Sequence, residues 1–173
     1  MIQRTPWFER TFRFDQAVAM FPLVVERLRG TPARLEDRLG SLSGRLLTTR
    51  TGDSWTIQEN VGHLLDLEPL WTGRIEDLVS SKATLQPADL ENRKTHDADH
   101  NTTPIQALLV SFRRARMDMV AILDSLDESA IARVAMHPRL ETPMRMLDLA
   151  VFVAEHDDHH IARISELIHA AGK

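Results

Sequence analysis

The chain has no cysteine, which excludes a disulfide frame, a thiolate nucleophile and a thiolate-bound zinc, and leaves any metal to histidine and carboxylate. It also lacks an excess of basic residues. A formal net charge of -4 argues against nucleic acid as a partner, because phosphate binding needs clustered Lys and Arg. The basic run Arg113-Arg114-Ala115-Arg116 is short and reads as a solvated helix face. No stretch approaches the roughly 20 apolar residues of a membrane span, and the first residues have no basic segment followed by an apolar run. No membrane contact is therefore expected, and the cytoplasm is the expected location. Strand-length segments of period two, internal repeats and low-complexity tracts are missing too. What remains is an ordinary globular composition, 43% hydrophobic and 27% charged over 173 residues, enough for one domain with its own core.

Helical periodicity fills most of the chain. Residues 1–21 carry Trp7, Phe8, Phe12, Phe14 and Phe21 without a clean period and are expected to be an extension packed on a domain spanning 22–173. Pro22 can open a first helix that Gly30 would close, and Thr31-Pro32 would restart one with Leu35, Leu39, Leu42 and Leu46 on a single stripe. Thr51-Gly52-Asp53-Ser54 reads as a turn, and Thr56-Ile57-Gln58-Glu59 has the form of a capping box. It opens a second helix along Ile57, Val61, Leu64, Glu68, Trp71, Ile75 and Leu78. Thr103-Pro104 opens a third, and Thr142-Pro143 is expected to open a fourth that runs to about residue 171. Four amphipathic helices of this kind predict an all-α four-helix bundle. The long connection from Ser81 to Thr102 suits a crossover, which would leave helices two and three parallel, or a lid.

The last helix holds Glu155-His156-Asp157-Asp158-His159-His160. His156 and His160 are one turn apart and fall on the stripe of Leu149, Val153, Ile164 and Leu167, where packing alone would call for Leu or Val. Two imidazoles buried side by side need strong partners, and a divalent metal is the commonest one that they share. By itself the pair at 156 and 160 suits either a metal site or hydrogen-bonded packing, and helix two offers one more histidine, His63, beside Leu67 and Leu70 on the flank of its main seam, which alone reads as an ordinary partly buried residue. Three protein ligands with one open position is the pattern of zinc sites that do chemistry.

The segments Ser54-Trp55-Thr56-Ile57-Gln58-Glu59-Asn60-Val61-Gly62-His63-Leu64-Leu65-Asp66-Leu67-Glu68 and His156-Asp157-Asp158-His159-His160-Ile161-Ala162-Arg163-Ile164 resemble the DinB superfamily of small helical metal-binding proteins. The resemblance extends over roughly residues 22–170. It implies an up-down-down-up four-helix bundle, commonly a homodimer, with a divalent metal held by His63, His156 and His160. His159 lies about 100° round the helix from His160 and is expected behind the ligands or at the surface. Glu68 is expected either to bond a ligand ring or backbone group near the site or to pair with an arginine elsewhere, while Glu59 could steer the His63 ring if its capping role allows. Glu68 and Asp66 are candidates to relay a proton. Asp157 and Asp158 read as solvated charges or as partners for arginine across a dimer contact. His96 and His100 in the long connection read as loop histidines, with a lid or a second metal site as the functional alternatives.

Three neutral imidazoles leave the ion its full charge, which favours ionised water or thiol near neutral pH. The family resemblance then implies two chemistries on a small-molecule substrate: transfer of a low-molecular-weight thiol cosubstrate to an electrophile, which is preferred here, or hydrolysis by metal-bound water. A non-catalytic metal-binding stress-response protein is the third reading. A purely structural helical dimer is disfavoured, because leucines would fill the seam better. Zinc or nickel is the expected metal, although three imidazoles also suit copper and iron. Ligation by neutral imidazole predicts metal affinity that weakens below about pH 6.5.

Overall fold

The computed structural model describes residues 4–171. Four long helices dominate it: α1 (Phe21–Leu39), α2 (Ile57–Val79), α3 (Ile105–Asp124) and α4 (Met146–Ala171). A hairpin of β1 (Val134–His137) and β2 (Thr142–Arg145) precedes α4. Helix α1 packs on α3 and α4, and α2 packs on the same two.

The apolar residues fall into two buried clusters, and the order in which each helix visits them gives the topology. Helix α1 passes from Val24 and Leu28 in the first cluster to Leu35 and Leu39 in the second, and α4 runs the same way, from Leu149 to Ile164. Helices α2 and α3 run the opposite way, from Val61 to Ile75 and from Phe112 to Met119. This is an up-down-down-up bundle, with the crossover of residues 80–104 joining the parallel pair.

Between the clusters a belt of buried polar residues takes one from each helix, Thr31, Glu68, Arg116 and Asp157, beside His156 and His160 of α4. The Arg116 guanidinium donates to Glu68 Oε1 at 2.6 Å and to Asp157 Oδ1 at 3.0 Å. Thr31 Oγ1 donates to Asp157 Oδ2 at 2.8 Å. Burial, helped by neighbouring Asp157, pushes the Glu68 carboxyl up to about 7 against the pull of Arg116. For Arg116 burial works downward, but Asp157 and Glu68 outweigh it and hold the guanidinium protonated.

The same guanidinium explains why Gly30 does not end the first helix. Helix α1 continues through Thr31 and Pro32 to Leu39. Pro32 has no N–H for the carbonyl four residues earlier, and Arg116 Nη1 donates to that carbonyl, Leu28 O, at 3.5 Å. The stripe does not extend to Leu42 and Leu46 within one helix. The chain turns after Leu39, and a short helix, Gly44–Thr48, starts at an N-cap where Ser43 accepts from Leu46 N.

Thr142-Pro143 likewise does not open the last helix; both residues lie in β2. The expectation of no strand misses this hairpin, whose β1 alternates exposed and buried over only four residues, too few for period two to register. Asp148 sets the helix start instead, accepting from Arg145 N at 2.9 Å and from the Arg145 guanidinium. The second and third helix starts agree with the sequence: the Thr56–Glu59 capping box is formed, and α3 begins directly after Pro104. Trp7, Phe12 and Phe14 of the N-terminal segment pack against the first core cluster.

Truncating Arg116 would strand two buried carboxylates, so Arg116→Ala is expected to destabilise the fold by about 3–5 kcal/mol. Urea denaturation checks this, and a loss below 1 kcal/mol would show that the belt does not hold the helices together.

Candidate metal centre

Helices α2 and α4 pack so that His63 meets His156 and His160. The ring centroids lie 5.3 Å (63 to 156), 4.8 Å (63 to 160) and 4.6 Å (156 to 160) apart. One nitrogen from each ring falls within 4.8 Å of the others, and no carboxylate of the described residues joins the group. All three histidines are buried, with 4%, 4% and 8% of their surface exposed.

Hydrogen bonds assign two of the tautomers. Thr95 Oγ1 lies 3.1 Å from His63 Nδ1 and donates its one proton to Asp66 Oδ2 at 3.0 Å. The hydroxyl can therefore only accept from the ring, so His63 carries its proton on Nδ1 and keeps a lone pair on Nε2. His160 Nδ1 lies 2.9 Å from Asn60 Oδ1, an acceptor, and this ring too keeps its Nε2 lone pair. The Asn60 amide is oriented by its own Nδ2, which donates to Thr56 O at 2.7 Å. His156 Nδ1 is buried without a hydrogen-bond partner among the described residues. Two rings with anchored Nδ1 atoms and free Nε2 lone pairs, beside a third ring with an unpartnered nitrogen, fit a divalent ion of the borderline type that imidazole prefers.

The crossover supplies the backing for His63. Its Thr95 and His100 both reach Asp66, with His100 Nε2 2.8 Å from Asp66 Oδ2. The His100 ring lies so close to Gly62 that a Cβ there would overlap it. Only glycine beside His63 lets the loop approach this closely. His100 is thus a buried strut for the loop, and His96 is exposed, its ring 5.7 Å from Trp55. The two do not form a second metal-ligand group among the described residues.

The other sequence candidates are placed as follows. Asp66 stands behind His63, one hydroxyl away. Glu59 is engaged by Thr56 N at 2.8 Å, by Asn101 Nδ2 at 3.0 Å and by Arg50, and does not touch the His63 ring. Glu68 is taken by Arg116, so of its two expected roles the pairing with arginine is the one realised. His159 lines the cavity, with Arg4 Nη1 2.9 Å from its Nδ1. Asp157 is not solvated but belongs to the buried belt, and Asp158 pairs with Arg27 and Arg34 of the same chain.

A cavity of about 520 Å³ opens beside the histidines. Trp55 lies 4.7 Å from the His63 ring, Trp7 5.0 Å and Trp71 5.6 Å from that of His156. The sequence carried a signal for Asn60, three residues before His63 and so on its face. It carried none for Thr95 or Trp7, which arrive from the crossover and the N-terminal segment.

Burial pushes His63 down to about 4 from its ordinary 6.5. It holds His156 and His160 well below that value, with the neighbouring histidines adding to the effect. The folded site therefore stays neutral at pH values where a free imidazole would be protonated, so proton competition with a metal begins below the expected pH of about 6.5.

The profile of the DinB superfamily matches residues 27–164. The solved structure of YfiT from Bacillus subtilis, a probable metal-dependent hydrolase with an unusual four-helix bundle topology, superposes with a TM-score of 0.81 over 95% of this chain and 94% of its own, at 23% identity. A mycothiol-dependent maleylpyruvate isomerase superposes with a TM-score of 0.65 over 82% of this chain and 59% of its own, at 10% identity. No curated protein matches the sequence. At these identities the two structures establish the shared fold. No helix among the described residues is long and apolar enough to cross a membrane.

The depressed histidines make the metal-free protein acid-sensitive. Between their unfolded value near 6.5 and the native value, which for His63 is about 4, the unfolded chain binds more protons. Stability is therefore present above 6.5 and is lost as pH falls, by up to about 1.4 kcal/mol per unit for each ring. Glu68, raised to about 7, acts with the opposite sign but is one group against five, since His137 and His159 are also lowered to about 4. The urea midpoint of metal-free protein is expected to be lower at pH 5.5 than at pH 7.5, and an equal or higher midpoint would contradict the burial of these rings.

Proposed function

Because the chain belongs to the DinB superfamily, we propose that it is a metal-dependent enzyme in which His63, His156 and His160 hold zinc or nickel and a low-molecular-weight thiol is activated for transfer to an electrophile. The observation that carries this reading is the convergence of three buried, neutral imidazole nitrogens within 4.8 Å on a cavity with no carboxylate among them. A divalent ion bound there would supply Lewis acidity. The chain's own residues do the rest. Asn60 and Thr95 hold two rings in the tautomer that presents Nε2, and the tryptophans and Phe152 keep water from the reacting groups.

The carboxylates favour thiol over water as nucleophile. Activation of water calls for a base within hydrogen-bond reach to accept the proton. Asp66 is engaged by Thr95 and His100, Glu68 by Arg116, and Glu59 by the helix cap. A thiol is more acidic than water by several pK units, so a cation held by the three histidines would favour its thiolate with the proton released to solvent, and the need for a protein base would be smaller than for water. The thiol-dependent isomerase with the same fold agrees with this reading. Hydrolysis is the second reading, favoured by His159, a neutral imidazole that burial and the nearby Arg4 push down to about 4 and that lines the same cavity.

His63→Ala and His160→Ala are each expected to abolish stoichiometric zinc uptake with helix content retained by circular dichroism. Unchanged uptake in either variant would remove that residue from the site. Asn60→Ala is expected to weaken zinc affinity by about 10- to 100-fold with stoichiometry unchanged.

The zinc-loaded protein, screened with small thiols and model electrophiles beside ester and amide substrates, is expected to turn over only when thiol is present. Thiol-independent hydrolysis that is lost in His159→Gln would put the second reading in its place. Inactivity in both arms would leave a metal-binding protein without catalysis.

A further inference from the structure

Four arginines line the cavity, and they are not equivalent. Arg4 and Arg163 lie near His159 and share Glu166, at 3.2 and 3.0 Å. Arg74 and Arg139 have no carboxylate partner among the described residues, although Arg74 is only 2% exposed. Arg74 donates from Nε to Gln86 O at 3.0 Å, and its Cζ lies 5.4 Å from the centre of the Trp71 ring. Gly73 permits this, since a Cβ there would overlap the Gln86 side chain. Arg139 Nη2 is buried without any hydrogen-bond partner among the described residues. The nearby carboxylates are turned away. Asp77 is taken by Lys82 Nζ at 2.7 Å and Gln86 N at 2.8 Å, and Asp89, which also lines the cavity, by Glu91 N and Arg93 N.

His137 stands beside Arg74 with donors on both sides of its ring. Its Nδ1 faces the backbone N–H groups of Arg139 and Leu140 at 3.3 and 3.2 Å, and its Nε2 lies 3.2 Å from Arg74 Nη1. A neutral imidazole has one lone pair and one N–H, so it accepts on one side only and leaves a donor unanswered on the other. The Arg74 and Arg139 guanidiniums and the His137 ring thus line one end of the cavity with more donors than acceptors among the described residues. An unpaired buried guanidinium is strongly unfavourable unless a partner arrives, and the partner that suits such a fork is an oxyanion.

The distance to the histidines suggests what carries that anion. Positions 63, 67, 70 and 74 share one face of α2, and Cα of residue 74 lies about 16 Å along the axis from that of residue 63. The wall between is apolar: the Phe152 ring lies 5.2 Å from that of His137 and 6.2 Å from Trp71, which lies 5.6 Å from His156.

We propose that Arg74, His137 and Arg139 form an oxyanion-binding pole, and that the ligand of this cavity is an amphiphilic organic anion. Its carboxylate or phosphate is held at the pole, its apolar body lies over Trp71 and Phe152, and its reacting group faces His63, His156 and His160. The role of the reacting group rests on the metal-centre reading above; the pole itself does not.

Calorimetric titration with 3-phenylpropionate, 3-phenylpropionamide and 2-phenylethylphosphonate, on zinc-loaded and on metal-free protein, tests the pole. Both preparations are expected to bind an anion at least tenfold more tightly than the amide, and the tighter of the two anions identifies carboxylate or phosphate as the natural group. Arg139→Gln and Arg74→Gln are each expected to weaken anion binding at least tenfold, with Arg139→Lys, which keeps the charge, losing less. Anion binding should survive in His160→Ala, so that failed zinc uptake and a failed pole give separate results. Equal binding of the amide, no binding of either anion, or carboxylate binding that requires zinc and ignores Arg139→Gln would overturn the proposal.

Discussion

The guanidinium of Arg116 reaches all four long helices, and the rest of the bundle is arranged around that fact. It comes from α3, meets Glu68 of α2 and Asp157 of α4, and takes the Leu28 carbonyl of α1 that Pro32 leaves without a donor. Hydrophobic burial supplies most of the drive to fold but is indifferent to small slips of one helix along another. A buried charge is not indifferent, because a shift of one turn would leave it unpaired at a penalty of several kcal/mol. Two apolar clusters with a polar belt between them therefore give a bundle with a fixed register.

That register carries the site. Asp157 of the belt is the neighbour of His156, and the belt residue Glu68 lies little more than one turn beyond His63. The belt face and the histidine face of α2 and α4 are different sides of the same helices, so locking one aims the other. Loops and segments outside the bundle then complete the centre: Thr95 and His100 from the crossover, Trp55 from the turn before α2, and Trp7 from the N-terminal segment. The cavity that results is apolar along its middle and cationic toward Arg74 and Arg139, with imidazole nitrogens displayed on one wall. Such a division suits a small molecule with distinct ends, and it explains how a chain of net charge -4 can present a locally cationic pocket.

Much of this was legible in the chain. Helix α2 starts where the Thr56–Glu59 capping box places it, since caps act through neighbours in sequence, and α3 starts directly after Pro104 without a side-chain cap. The two imidazoles on an apolar stripe of α4 could be read by spacing alone, whereas His63 of α2 took its place from the family resemblance. The errors share a cause. Gly30 and Thr31-Pro32 read as a break because the donor that repairs it, Arg116, lies in another helix. Thr142-Pro143 read as a helix start because the pairing that makes it a strand, with Val134–His137, outweighs the local preference. Arg116 itself lay in a run that read as solvated, though its side chain is wholly buried.

Local chemistry determined which residues are helical, where two of the helices begin and which face of each is apolar, because propensity, capping and period are properties of a few adjacent residues. The same chemistry marked His156 and His160 as polar groups on a buried face, while His63 was marked by the family motif. Tertiary structure alone decided that Glu68 and Asp157 answer Arg116, that Asn60 and Thr95 set the tautomers of the site, and that Arg74 and Arg139 line the cavity with no carboxylate partner among the described residues. Those outcomes depend on which charged and hydrogen-bonding groups are brought within a few ångströms after packing, and electrostatic partnership across helices leaves no periodic trace in a sequence.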